Sequence, residues 1–144
     1  MMKRYIALLL LLVSGLAGAQ DRIVERTYVS TDRSDYLVGE VLRCSAYCFD
    51  LSRGKGVLSD FSSIAYIGLY SSEGLVQSAK AALVGGRGAA EMELDRSLPT
   101  GNYTLVAFTA LNRNERDYDF AYTGKVISVF NPYTSQRLEG GVRI

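Results

Sequence analysis

The chain has 144 residues, 48% hydrophobic and 22% charged, with aromatic content carried by 10 Tyr and 5 Phe, a balance that suits one globular domain and excludes disorder and low complexity. Sixteen Lys and Arg stand against 15 Asp and Glu, so no basic stripe is on offer to nucleic acid or to an anionic lipid surface. The sequence holds no histidine, which removes Ser-His-Asp and Cys-His nucleophilic sites, the most frequent general base and the commonest metal ligand.

The first twenty residues, "MMKRYIALLLLLVSGLAGAQ", place Lys3 and Arg4 before an apolar run from Ile6 to Val13 and end in Ala17-Gly18-Ala19. That layout predicts a secretory signal peptide over residues 1–19 and a mature chain from Gln20. The run is far shorter than the ~20 apolar residues that span a bilayer. Removing Lys3 and Arg4 leaves 14 basic against 15 acidic residues, a net charge near −1. The expectation is an exported polypeptide of the periplasm or outer membrane, without a transmembrane segment in its mature part.

From Arg26 onward the period is two. "RTYVS" (26–30) predicts a short strand, and "TDRSDYLVGE" supplies the Asp, Ser and Gly that turns require. Between Val41 and Phe49 the even positions Leu42, Cys44, Ala46 and Cys48 are all small or apolar, the signature of a half-buried strand. Ile64 to Tyr70 predicts another strand, with a hairpin through Ser71-Ser72-Glu73-Gly74 into a return strand from about Leu75. "GGRG" (85–88) turns the chain into "AAEMEL", and "DRSLPTG" leads to "NYTLVAFTAL". After the polar loop "NRNERDYD" a last strand runs through "FAYTGKVISVF". Seven short strands, turn signals between them and no helical pattern predict a seven-stranded antiparallel β-sandwich over residues 20–131. From Pro132 the alternation is lost, so 132–144 reads as a linker or frayed tail.

Tyr103 stands where the chain enters its penultimate strand, the position at which sandwich folds use a tyrosine hydroxyl to bond upstream backbone. The alternative is a tyrosine that only fills the core.

Two stretches carry a family pattern. Thr31-Asp32-Arg33, Tyr36 and Gly39-Glu40 follow "T-D-(K/R)-x-x-Y-x-x-G-E", and Leu98-Pro99-x-Gly101-x-Tyr103 follows "L-P-x-G-x-Y". Together, over roughly Arg26 to Pro132, the chain resembles the N-terminal macroglobulin-like domain, of the type named second in alpha-2-macroglobulins, of exported proteins of outer-membrane bacteria. The resemblance implies a seven-stranded macroglobulin- or immunoglobulin-like sandwich used as a building block of larger envelope proteins, some of them protease traps. The chain departs from the traps: it is one domain long, lacks a Cys-Gly-Glu-Gln thioester sequence and has no room for a bait region. It therefore reads as a non-enzymatic scaffold or interaction module, the N-terminal part or a truncated relative of a larger cell-envelope protein. Endopeptidase inhibition and glycan-binding adhesion are the alternatives.

The remaining chemistry is sparse. Cys44 and Cys48 lie four residues apart on one strand, hence ~13 Å apart at ~3.3 Å per residue, too far for a disulfide between them, which needs Cα atoms within about 7 Å. Core filling is the favoured reading for these thiols, against an intermolecular disulfide or a reactive thiol. Glu91 and Glu93 read as a solvated stripe, and Glu115, Asp117 and Asp119 as a charged hairpin tip rather than a calcium loop. "GGRG" has no following helix to cradle phosphate. Neither a catalytic residue, a cofactor nor a metal is expected. If Tyr103, Leu105 and Ala107 point inward, Val106 and Phe108 point outward, and with Tyr122 and Val126 they form a candidate apolar contact with another envelope domain or protein, a protease among the possible partners.

Overall fold

Strand β3, Val41–Asp50, sets the plan of the molecule. Its even positions from Leu42 to Asp50 are buried and none of its odd positions is, because successive side chains of a strand point to opposite faces. A computed structural model describes residues 22–114 and 123–138. The stretch 1–19 read as a signal peptide, Tyr122, the acidic residues Glu115, Asp117 and Asp119, and the end of the tail lie outside the described residues.

β3 is the centre of a three-stranded antiparallel sheet, flanked by β1 (Glu25–Thr31) and β6 (Arg87–Glu93). Facing it is a five-stranded sheet built from β2 (Asp35–Leu37), β4 (Ile64–Ser71), β5 (Gly74–Ala82), β7 (Gly101–Phe108) and β8 (Lys125–Phe130), in the order β2-β8-β7-β4-β5. Among the described residues the helical pieces are single 3-10 turns, Leu51–Arg53 and Asn112–Asn114, and Thr123, which has α-helical backbone geometry. The chain passes repeatedly from one sheet to the other. The inner faces meet through Leu42, Met92 and Leu94 on one side and Ile67, Leu69, Leu105, Ile127 and Val129 on the other, all buried.

The architecture is the all-β sandwich that the alternation implies, with two corrections. Eight strands are present among the described residues, not seven: β2 is three residues long and lies inside the stretch read as a turn. It pairs with β8 in parallel, Tyr36 opposite Val129, so the fold is not wholly antiparallel. A strand that short carries no legible period, and its partner lies far along the chain.

Two turns read directly from sequence. The β4–β5 hairpin closes through Ser71 opposite Gly74. Val84 and Arg87 pair across Gly85 and Gly86, whose φ values of 58° and 79° are those of a primed turn that two glycines adopt without strain. That turn carries the chain from β5 in the large sheet to β6 in the small one.

The start of the tail, read as a linker or frayed end, is tied down as far as it is described. Leu138 N donates to Thr100 O at 2.8 Å, and Arg137 pairs in parallel with Thr100 at the mouth of β7. Gly101 leaves the space: a Cβ there would lie 2.7–2.9 Å from three Leu138 atoms. Pro and Gly content signals lost alternation, not lost contact.

Candidate functional site

The residues of the first family pattern fold onto one another. Tyr36, 2% exposed, donates its hydroxyl to the Asp32 carboxylate at 2.5 Å and accepts Arg33 N at 3.1 Å. Thr31 Oγ1 donates to Arg33 O at 2.6 Å. The Arg33 guanidinium lies over the Tyr36 ring, 4.7 Å from its centroid, and donates to Glu40 Oε2 at 2.7 Å. Glu40 Oε1 accepts Leu37 N at 2.7 Å. Gly39 has φ +84°, a conformation that costs an L side chain about 1–2 kcal/mol, and its N–H reaches Leu94 O at 2.7 Å. Burial raises the Tyr36 hydroxyl and its bond to Asp32 adds to this, while the Tyr36 hydrogen bond holds Asp32 below the usual carboxylate range. The stretch from Thr31 to Glu40 is thus a corner that carries the chain from the small sheet through β2 and back.

The second pattern is also architectural. Tyr103, 1% exposed, donates its hydroxyl to Pro99 O at 2.6 Å, and burial pushes it up to about 12. The tyrosine does both things the sequence left open: it fills the core and bonds upstream backbone. Asn131 completes this end, its amide nitrogen donating to Arg96 O and Leu98 O, both at 2.9 Å.

Cys44 and Cys48 are buried and free. The Cys44 thiol donates to Ala90 O at 3.6 Å, and burial pushes it up to about 11. Cys48 is pushed up to about 12, first by burial and then by the negative charge of Glu25. Thiolates are the reactive form, so neither group is activated.

Sequence reasoning passed over the cluster around Glu25. This carboxylate is 2% exposed at the start of β1 and accepts hydrogen bonds from Ser59 Oγ, Ser62 Oγ, Ser62 N at 3.3 Å and Thr109 Oγ1 at 2.9 Å. Beside it Asn112 Nδ2 donates to Thr27 Oγ1 at 2.7 Å, and Asn112 Oδ1 accepts Thr109 N at 2.8 Å. Burial alone would raise the Glu25 carboxyl; the Ser59, Ser62 and Thr109 hydroxyls outweigh it and lower it. A signal was available. Counting back by twos from Val29 puts Thr27 and Glu25 on the inward face.

On the outer face of the large sheet the expected apolar contact is reshaped. Val106 is only 4% exposed, which corrects the expectation of an open side chain. It lies opposite Gly68, over which the Tyr70 ring and Leu75 close: a Cβ on Gly68 would sit 2.6 Å from the Tyr70 ring. The register shift between Leu69 and Tyr70 marks where β4 departs from regular pairing. Phe108 is half-buried and stacks on Tyr66 with centroids 5.7 Å apart, while the Lys80 ammonium lies 5.6 Å from the Tyr66 ring. Val126, half-buried, pairs with Thr104 on β7. Phe108 and Tyr66 are half-buried there, while Leu75 is 56% exposed.

Glu91 is ion-paired with Arg43 at 3.1 Å on an exposed surface, a contact worth little to stability. Among the described residues no group of three or more His, Cys, Asp or Glu is placed to hold a metal ion, and no helix is long and apolar enough to cross a membrane.

No protein-family model matches the chain, and no curated protein matches it in sequence. Solved structures do match its fold. Trypsin-activated alpha-2-macroglobulin from Escherichia coli superposes with a TM-score of 0.54 at 15% identity, over 73% of this chain and 6% of that one. Salmonella alpha-2-macroglobulin reacted with methylamine gives a TM-score of 0.54 at 14% identity, over 74% of this chain and 6% of that one. The fold is that of a macroglobulin-like domain, an immunoglobulin-like β-sandwich. The chain spans only a small part of the length of either protein.

Proposed function

We propose that this chain is a non-catalytic, exported macroglobulin-like module that works by contact, as one part of a larger cell-envelope assembly in the periplasm or at the outer membrane. The observation that carries the reading is how the chain runs through the sandwich. It comes in at Glu25, beside Thr109 at the far end of β7, and goes out past Phe130, beside the first residues of β7. Neighbours on the two sides would therefore sit at opposite poles, the arrangement of a link in a series. At the outgoing pole Leu37 and Phe130, register partners, are 46% and 51% exposed, and Tyr133 is 77% exposed. The corner at Thr31–Glu40 and the Tyr103 bond then act as braces that keep the link stiff. Both solved relatives match over 6% of their length, which fits a module of something longer.

The side surface of such a link is the Phe108–Tyr66 stack. A photo-crosslinking residue at Phe108 is expected to capture an envelope protein in intact cells, while one at Ser45 on the opposite sheet captures none. Equal capture from both positions, or none from either, discards the reading. The same relatives favour a second one, a component of a protease inhibitor, since both are alpha-2-macroglobulins and one is described as trypsin-activated. Protection of a protease from large but not small substrates, with the chain in its native assembly, would select it.

A further inference from the structure

The Glu25 cluster ties together three segments far apart in sequence. Glu25 opens β1, Ser59 and Ser62 belong to the connection between β3 and β4, and Thr109 follows β7. The carboxylate receives four donors from these segments and has no ion-pair partner among the described residues. We propose that Glu25 is an acid-released latch: as a carboxylate it fastens the Ser59–Ser62 segment over the end of the sandwich, and when protonated it lets that segment swing away and uncovers Cys48.

The chemistry follows from donor count. An ionised carboxylate only accepts, and Ser59, Ser62 and Thr109 all donate to it. Protonation removes the negative charge and turns one acceptor oxygen into a donor, so the charge-assisted bonds from the hydroxyls weaken and one of them must reverse. The Ser59 and Ser62 hydroxyls then lose their charged acceptor, and the segment is left to its backbone bonds, such as Ser59 N to Cys48 O. Among the described residues two titratable groups lie beside Glu25: Cys48, whose thiol is raised in part by the Glu25 charge, and Asp50, its direct register partner on β3. Asp50 is buried too, but its Oδ1 is taken up by Ser52 N at 3.0 Å and Ser52 Oγ at 2.5 Å. Among the described residues of the β3–β4 connection and of the stretch after β7, Ser59, Ser62 and Thr109 reach the carboxylate, all uncharged; Asp60 faces solvent with Arg53.

Cys48 reports the opening. It is 0% exposed, its carbonyl accepts Ser59 N at 2.8 Å, and it is the register partner of Thr27, two residues along β1 from Glu25. Cys44, four residues along the same face, touches none of them and serves as an internal control. The sign is fixed by the depressed Glu25 carboxyl. The fastening is complete above its ordinary value of 4.5 and is lost as pH falls below that, through the lower value of the folded state.

The test is site-resolved thiol modification with 4,4′-dithiodipyridine, which reacts in acid. The thiol attacks the reagent disulfide, one new S–S bond forms on the cysteine, and thiopyridone leaves with the second sulfur and the thiol proton. At pH 7 neither cysteine should react in the folded protein. As pH is lowered below 4.5, Cys48 should come to be modified at least tenfold faster than Cys44 before the protein unfolds as a whole. In Glu25→Gln the preference for Cys48 should appear already at pH 7, and Ser62→Ala, a milder change, should move its onset to higher pH. Equal rates at the two cysteines at every pH would mean global unfolding and overturn the latch. So would a Glu25→Gln protein, or if that does not fold a Ser62→Ala protein, that behaves as the parent. The outcome is independent of whether the chain is an envelope module.

Discussion

Single residues here do tasks that their type alone does not reveal. Tyr103 spans core and backbone at once, and Tyr103→Phe keeps the ring while leaving Pro99 O without its donor. We expect a loss of about 1–2 kcal/mol, read as a lower urea midpoint with an unchanged denaturant slope. Leu105, 0% exposed between the sheets, belongs to another class. Leu105→Ala should cost about 3 kcal/mol, because the cavity left in a packed interior closes only in part. Both positions were legible as inward-facing from alternation. That the hydroxyl finds Pro99 O was not, since a strand's period fixes the face of a side chain and not its partner. Glu25 makes the same point more strongly: its face was countable, but its four donors come from segments brought together only by folding.

At the scale of elements, the Thr31–Glu40 corner was legible as a motif because its residues are close in sequence and answer one another. Gly39→Ala should lower stability by about 1–2 kcal/mol, as φ +84° is strained for any residue with a Cβ. Glu40→Ala should lower the melting temperature more than Arg33→Ala does: Glu40 holds a backbone N–H as well as the guanidinium, whereas Arg33 is an exposed partner. Thermal melts of the two variants side by side check the order. β2 escaped the sequence because three residues show no period and its parallel pairing to β8 spans most of the chain. The docking of Leu138 escaped for the same reason. Val106 reads as outward and is outward, yet Gly68 lets an aromatic ring from two residues along β4 close over that rung.

For the whole molecule, strand alternation and turn chemistry determined a two-sheet β-sandwich, and the absence of histidine removed the sites that depend on an imidazole. Those properties are local, or sums over the chain, and need no coordinates. Tertiary structure alone decided that the sheets are three- and five-stranded, that the chain runs in at one pole and out at the other, and that a buried carboxylate joins three segments at the incoming end. Each of these depends on contacts between residues tens of positions apart. Side-chain periodicity says which face a residue takes, whereas closure of the sandwich determines what it meets there.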